Sequence, residues 1–217
     1  MKSKSISQSL TDTLKNDDLT NLTKDGLELT IDSFINDEII KQIPFVKSIA
    51  AIVSTAKSIT NYLFVKKIIA FLKGISDIPQ KKRQAMISKI DESKKYRQKV
   101  GEFLLFQINH CDDDLKAEYL SQAFRAVINE ELSYGDFMRV SNVLNRLSII
   151  DFEDFITREK FGEDDSLFIG CGLLFLHNPD EAKTESETLV LNVGGLDVLK
   201  TPLGSTIKEI YKDTIRA

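Results

Sequence analysis

Residues 39–76 read IIKQIPFVKSIAAIVSTAKSITNYLFVKKIIAFLKGIS, with six lysines (Lys41, Lys47, Lys57, Lys66, Lys67, Lys73) and no acid, in a chain of net charge −4. Apolar residues recur there at steps of three and four, the period of an amphipathic helix. Ile49, Ile52, Val53, Ala56, Ile59 and Leu63 form one stripe; Phe64, Val65, Ile68, Ile69, Leu72 and Ile75 form a second. At about 100° per residue the second stripe points nearly opposite the first. The register therefore changes near residues 61–63, where a helix would bend or meet partners on opposite sides.

A membrane span needs about 20 mainly apolar residues. The longest lysine-free run here, Ser48 to Ala56, has nine, and Pro44 interrupts the approach. A spanning helix is not expected. An amphipathic helix lying on an anionic lipid surface is the alternative, each lysine contributing roughly 1 kcal/mol. The leading expectation is a bundle helix, because a helix flat on a membrane uses only one face. On either reading, Lys47, Lys57, Lys66, Lys67 and Lys73 are the candidate interaction residues.

The remaining composition bounds the problem. A chain of 217 residues, 42% hydrophobic and 29% charged, is long enough to bury a core. Four prolines and ten glycines suit a helical chain with short connections. Thirteen phenylalanines supply bulk where there is no tryptophan. Cys111 and Cys171 match no zinc or disulfide spacing and are expected as thiols in a reducing cytoplasm. The start, MKSKSISQSLTDTL, has no apolar run behind its lysines, so no secretory signal is expected.

The net charge hides an asymmetry. Residues 39–110 hold fourteen basic residues against four acids, while residues 111–217 hold eleven against twenty-one. Opposed segments of this kind attract each other or face different partners.

Taken in order, the chain predicts a frayed helix before residue 18, with Leu10 and Leu14 its apolar pair. A helix over 19–35 is favoured despite Gly26, and Pro44 enters the central stretch in a first turn. Gly74 reads as the residue that ends the central helix. Ser76-Asp77-Ile78-Pro79 opens the next, which presents Ile78, Ala85, Met86 and Ile90 and exposes Lys81, Lys82 and Arg83. Helices follow from Ser93 to about Asn109, from the acids Asp112 to Asp114 onward, and from Ser133, which with Asp136 resembles a capping box. Phe103, Leu104, Phe124, Val127, Phe137 and Leu144 are the predicted shared core, and Asp151 opens a short helix.

Near Gly162 the pattern changes. Residues 167–176 (LFIGCGLLFL) are apolar, residues 178–187 a polar loop, and residues 188–193 (TLVLNV) a strand that Gly194-Gly195 turns back onto 196–200. A closing helix carries Ile207, Ile210, Tyr211 and Ile215. The predicted fold is mainly α: an N-terminal helical segment (1–38), a helical bundle (39–160) and a small C-terminal α/β unit (161–217). That last unit reads as winged-helix-like, its first part supplied by residues 145–161, or as a β-hairpin appended to the bundle.

The only cluster of reactive side-chain types is His110-Cys111-Asp112-Asp113-Asp114. Neighbours on a helix point about 100° apart, so a helix end followed by an acidic cap explains it better than a nucleophile or a metal site. His177 reads as a loop residue. Gly170-Cys171-Gly172 and Gly194-Gly195 lack phosphate- or dinucleotide-binding spacing. No catalytic residue, metal ligand or cofactor is predicted. A winged helix here would place its recognition helix near residues 164–172, beside Glu163, Asp164 and Asp165, the wrong charge for phosphate. Nucleic acid is therefore not expected as a partner.

The order of features resembles a known family: KKIIAFL (66–72) in a basic helix, a helical middle, Gly172-Leu173-Leu174, and a late Leu199-Lys200-Thr201-Pro202-Leu203-Gly204. These look like the abortive-infection alpha-type proteins of bacteria, which end in a similar Leu-Thr-Pro-x-Gly motif. Lys200 departs from it by separating Leu199 from Thr201. The resemblance implies a bacterial cytoplasmic protein of phage defence, with no catalytic residues to carry over. The functional expectation is a non-enzymatic interaction protein with a protein partner or self-association. The alternative is a peripheral effector of the inner-membrane surface acting through residues 39–76.

Overall fold

Val65, Ile68, Ile69 and Leu72 lie on one side of a helix, and all four are buried, as is Ile75 just beyond it. That helix, α2 (Ile59–Lys73), follows α1 (Ile6–Leu14) in a computed structural model describing residues 5–17, 19, 43–48, 59–162, 164–177 and 197–214. Next come α3 (Gln80–Glu92), α4 (Val100–His110), α5 (Asp114–Ile128), α6 (Tyr134–Arg146), α7 (Ile149–Thr157), α8 (Ser166–Gly170), β1 (Leu174–His177), β2 (Asp197–Lys200) and α9 (Pro202–Tyr211). The protein is mainly helical with a small antiparallel ribbon near its C-terminus. No helix among the described residues is long and apolar enough to cross a membrane.

Contacts divide the chain into two units, 1–145 and 146–217. The division falls ahead of the 160/161 boundary predicted above, so residues 146–160 go with the C-terminal unit.

In the first unit α2 packs along α5, which also meets α3, while α1 lies on α4. Phe71 of α2 meets Phe124 of α5 at 5.9 Å between ring centroids, Phe124 meets Phe137 at 5.3 Å, and Phe137 meets Phe103 at 5.8 Å. This aromatic series runs through the predicted core. Phe103, Leu104, Phe124, Val127, Phe137 and Leu144 are all buried.

Sequence expectations fail where distant segments intervene. The first helix is not frayed: Ser5 caps it by accepting the Gln8 N–H, and Leu10 and Leu14 are 0% exposed. Its seat on α4 is tight, since a Cβ at Gly101 would lie 2.1 Å from Thr11 Oγ1. Gly74 is likewise a packing residue, whose Cβ would stand 1.9 Å from Ser121 Oγ; among the described glycines only Gly172 has positive φ. The helix expected from Ser93 starts at Val100, because Asp91 of α3 accepts the Val100 N–H at 2.8 Å and supplies the cap. Arg83, expected at the surface, is fully buried, while Ala85, expected on the apolar face, is exposed. The capping box holds: Ser133 Oγ accepts the Asp136 N–H at 3.1 Å. The helix predicted over 19–35, apart from residue 19, lies outside the described residues, as do the first stripe from Ile49 to residue 58 and Ile215.

In the second unit Phe152 meets Tyr211 at 5.2 Å, and Phe155 meets Phe168 at 5.3 Å. β2 pairs with β1, Leu174 opposite Lys200 and Phe175 opposite Leu199. The hairpin partner predicted for it, residues 188–193, lies outside the described residues, as does the loop predicted at 178–187. The Thr-Pro-x-Gly ending has a structural account. Thr201 Oγ1 caps α9 by accepting the Gly204 N–H at 3.0 Å, Pro202 takes the first turn, and a Cβ at Gly204 would stand 2.2 Å from Leu173 O.

Candidate interaction surface

The last carbonyls of a helix have no partner within it, and its C-terminus carries partial negative charge. Among the described residues, five cations meet that demand from another segment. Lys67 donates to Asn109 O at 3.0 Å and Cys111 O at 2.8 Å, closing α4. Arg83 closes α1, reaching Leu14 O at 2.7 Å and Asn16 O at 2.9 Å, and also holds Ile78 O at 2.9 Å. Arg125 holds Gly74 O at 2.6 Å beyond α2 and pairs with Asp77, whose carboxyl it keeps below the usual range. Lys99 reaches Asp91 O near the end of α3. In the second unit Lys208 reaches Ile156 O at 3.0 Å, and Arg158 O as well, closing α7.

This use of charge redistributes the predicted interaction lysines. Lys67 is half-buried and tied inward. Lys66 pairs with Asp114 at 2.8 Å, which raises its pKa and lowers that of Asp114 through their hydrogen bond. Lys47 and Lys73 are exposed. Lys57 lies outside the described residues. Of the described four, Lys66 and Lys67 are thus engaged within the chain.

The same contacts expose something the helical pattern did not anticipate. Lys66 and Lys67 bring α2 to the α4–α5 junction, and four large apolar side chains on these three helices remain exposed. Tyr62 is 50% exposed, Leu63 52%, Phe106 54% and Leu115 39%. Leu63 belonged to the first predicted stripe and is not buried, and neither is Leu115 in the first turn of α5. The rim carries both signs of charge, with Lys66, Lys73, Asp114 and Glu118.

The His110–Cys111 pair stands at this junction too. The His110 ring packs on Phe106, 4.1 Å between centroids, with Nδ1 2.8 Å from Phe106 O. Cys111 is buried, donates to Gln107 O at 3.4 Å, and burial pushes its thiol up to about 12. That shift opposes formation of a thiolate nucleophile. Among the described residues no group of three or more His, Cys, Asp or Glu side chains could hold a metal ion.

Two cavities lie elsewhere. One, of about 290 Å³ in the second unit, is lined by Lys200, Lys208 and Lys212 with Glu159 and Glu209. Lys208 is already bound to carbonyls there, and burial and the neighbouring Lys200 lower its pKa. The other, of about 500 Å³ in the first unit, lies between α3, the loop after it and the α5–α6 turn.

No family model, curated protein or solved structure matches the chain.

Proposed function

We propose that the chain is a non-enzymatic interaction protein whose partner is a second copy of itself, with the resemblance to abortive-infection alpha-type proteins pointing to bacterial phage defence. The observation that carries this reading is the exposure of Tyr62 and Leu63 on α2, Phe106 on α4 and Leu115 on α5, three helices that pack together. Large apolar side chains grouped at a surface favour a protein partner. The rim favours a copy over a stranger. Lys66 and Asp114 are both partly exposed and opposite in sign, so a two-fold contact lets each meet its counterpart while the apolar residues close together.

The membrane reading is weaker on the same geometry. Lys67 is spent on backbone carbonyls and Lys66 on a carboxylate, and the second stripe is buried from Val65 onward.

Sedimentation equilibrium on the full chain tests the proposal. The expected result is a dimer that Leu63→Ser with Phe106→Ser converts to a folded monomer. In cells challenged with phage, plaque counts should fall when the chain is expressed and recover with the same double variant. A wild-type chain that stays monomeric up to about 100 μM, weaker than a specific complex needs, would overturn it. So would sedimentation with anionic vesicles that Lys47→Glu, Lys57→Glu and Lys73→Glu together abolish.

A further inference from the structure

Two helices of this protein end on the same hydrogen-bonding pattern. After α8, Leu173 N–H reaches Phe168 O and Gly172 N–H reaches Ile169 O; after α5, Glu131 N–H reaches Ala126 O and Glu130 N–H reaches Val127 O. The pattern needs a left-handed residue at its bend, and glycine fills that role most easily. Gly172 does so at φ 75°, but at the end of α5 the residue is Glu130, at φ 65°. Glu130 is the only non-glycine among the described residues with positive φ.

Glu130 stands on the rim of the 500 Å³ cavity, a volume in the range of small-molecule sites. Ile90, Val127 and Leu132 give that cavity an apolar wall, and Tyr96 meets Tyr134 edge to face at 4.8 Å. Tyr134 is 5% exposed, and its hydroxyl has no hydrogen-bond partner among the described residues. A buried hydroxyl without a partner costs stability, and such groups are rare. At the rim Lys89 is neutralised by Glu130, 3.2 Å away, whereas Lys95 lies over the Tyr96 ring with no acid paired to it among the described residues. Among the charged residues that line the cavity, Lys89, Lys95 and Glu130, one positive charge is therefore in excess.

From the cavity, the orphan Tyr134 hydroxyl and the unpaired Lys95 we infer that this is a binding site for a small aromatic monoanion. The ring lies against the apolar wall and Tyr96. The acidic group accepts from Tyr134 Oη and meets Lys95 at the mouth. This site is separate from the Phe106 surface, and neither depends on the other.

The probe is 1-anilinonaphthalene-8-sulfonate, an aromatic sulfonate whose fluorescence rises in an apolar site, titrated into the full chain. One saturable site is expected. Tyr134→Phe should weaken binding about tenfold or more, the effect of one hydrogen bond to a charged acceptor. The same change removes the orphan hydroxyl, so its melting temperature should hold or rise, which a purely structural role would not couple to lost binding. Lys95→Glu, a surface change, should also weaken binding. Phe106→Ser should leave it unchanged. Absence of saturable binding, affinity that neither Tyr134→Phe nor Lys95→Glu alters, or a signal that Phe106→Ser removes would each overturn the inference.

Discussion

The two sides of α2 are made of the same residue types and are used in opposite ways. Val65, Ile68, Phe71 and Leu72 are at most 2% exposed, yet Tyr62 and Leu63 on the same helix are half exposed. Lys67 is bound to two backbone carbonyls, yet Lys73, six residues on, is exposed. The difference follows from where α5 and the end of α4 lie, not from the composition of the helix. An apolar residue or a lysine in this chain takes its role from the segment it faces.

The largest expected effect is on the inner side. Phe71 is fully buried against Phe124, so Phe71→Ala leaves a cavity that close-packed helices cannot refill. The expected loss is about 3–5 kcal/mol, read by urea unfolding. A loss below about 1 kcal/mol would mean that α2 does not pack on α5 as described.

The lysines sharpen the contrast. Lys67→Met removes the donor for Asn109 O and Cys111 O and should cost about 1–3 kcal/mol. Lys73→Met should change stability by no more than about 0.5 kcal/mol, as an exposed site does. Equal effects of the two would remove the distinction between a structural lysine and a solvated one.

This distinction was not legible in the sequence. Lys67 lies 42 and 44 positions from the carbonyls it binds, and Arg83 lies 69 from Leu14. No local spacing encodes such pairs. Periodicity did locate the second stripe, the aromatic core and the Ser133 capping box, because each depends on neighbours within one or two turns. It does not reach the close contacts that keep Gly74 and Gly101 small, against Ser121 and Thr11 of other helices. The exposure of Leu63 was missed for the same reason: it fits a stripe, and only the packing shows that the stripe has no partner there. The Thr201-Pro202-x-Gly204 motif that carried the family resemblance has a folding role as cap, first turn and close contact.

Cys111, whose carbonyl Lys67 holds, gives a pH test at the same junction. Its thiol is raised by burial to about 12. A thiol held neutral in the folded protein contributes stability that is full below about pH 9 and lost as pH rises toward 12. Cys111→Ala should therefore leave the pH 7 value little changed by ionisation and flatten the alkaline fall. An alkaline profile identical in the two proteins would show that Cys111 does not sense the core.

The smallest effect on stability, and the most informative for function, belongs to the outer side. Leu63 is 52% exposed, so Leu63→Ser gives up little buried area and removes an apolar group from water. The expected change is within about 0.5 kcal/mol of wild type. If Leu63 is instead covered by a second copy, the same substitution leaves the monomer's stability unaltered and makes the melting temperature less dependent on protein concentration, because a dimer melts by mass action. Melting wild type and Leu63→Ser over a hundredfold range of concentration separates the cases. A wild-type midpoint that does not move with concentration would make the outer side a solvated surface and nothing more.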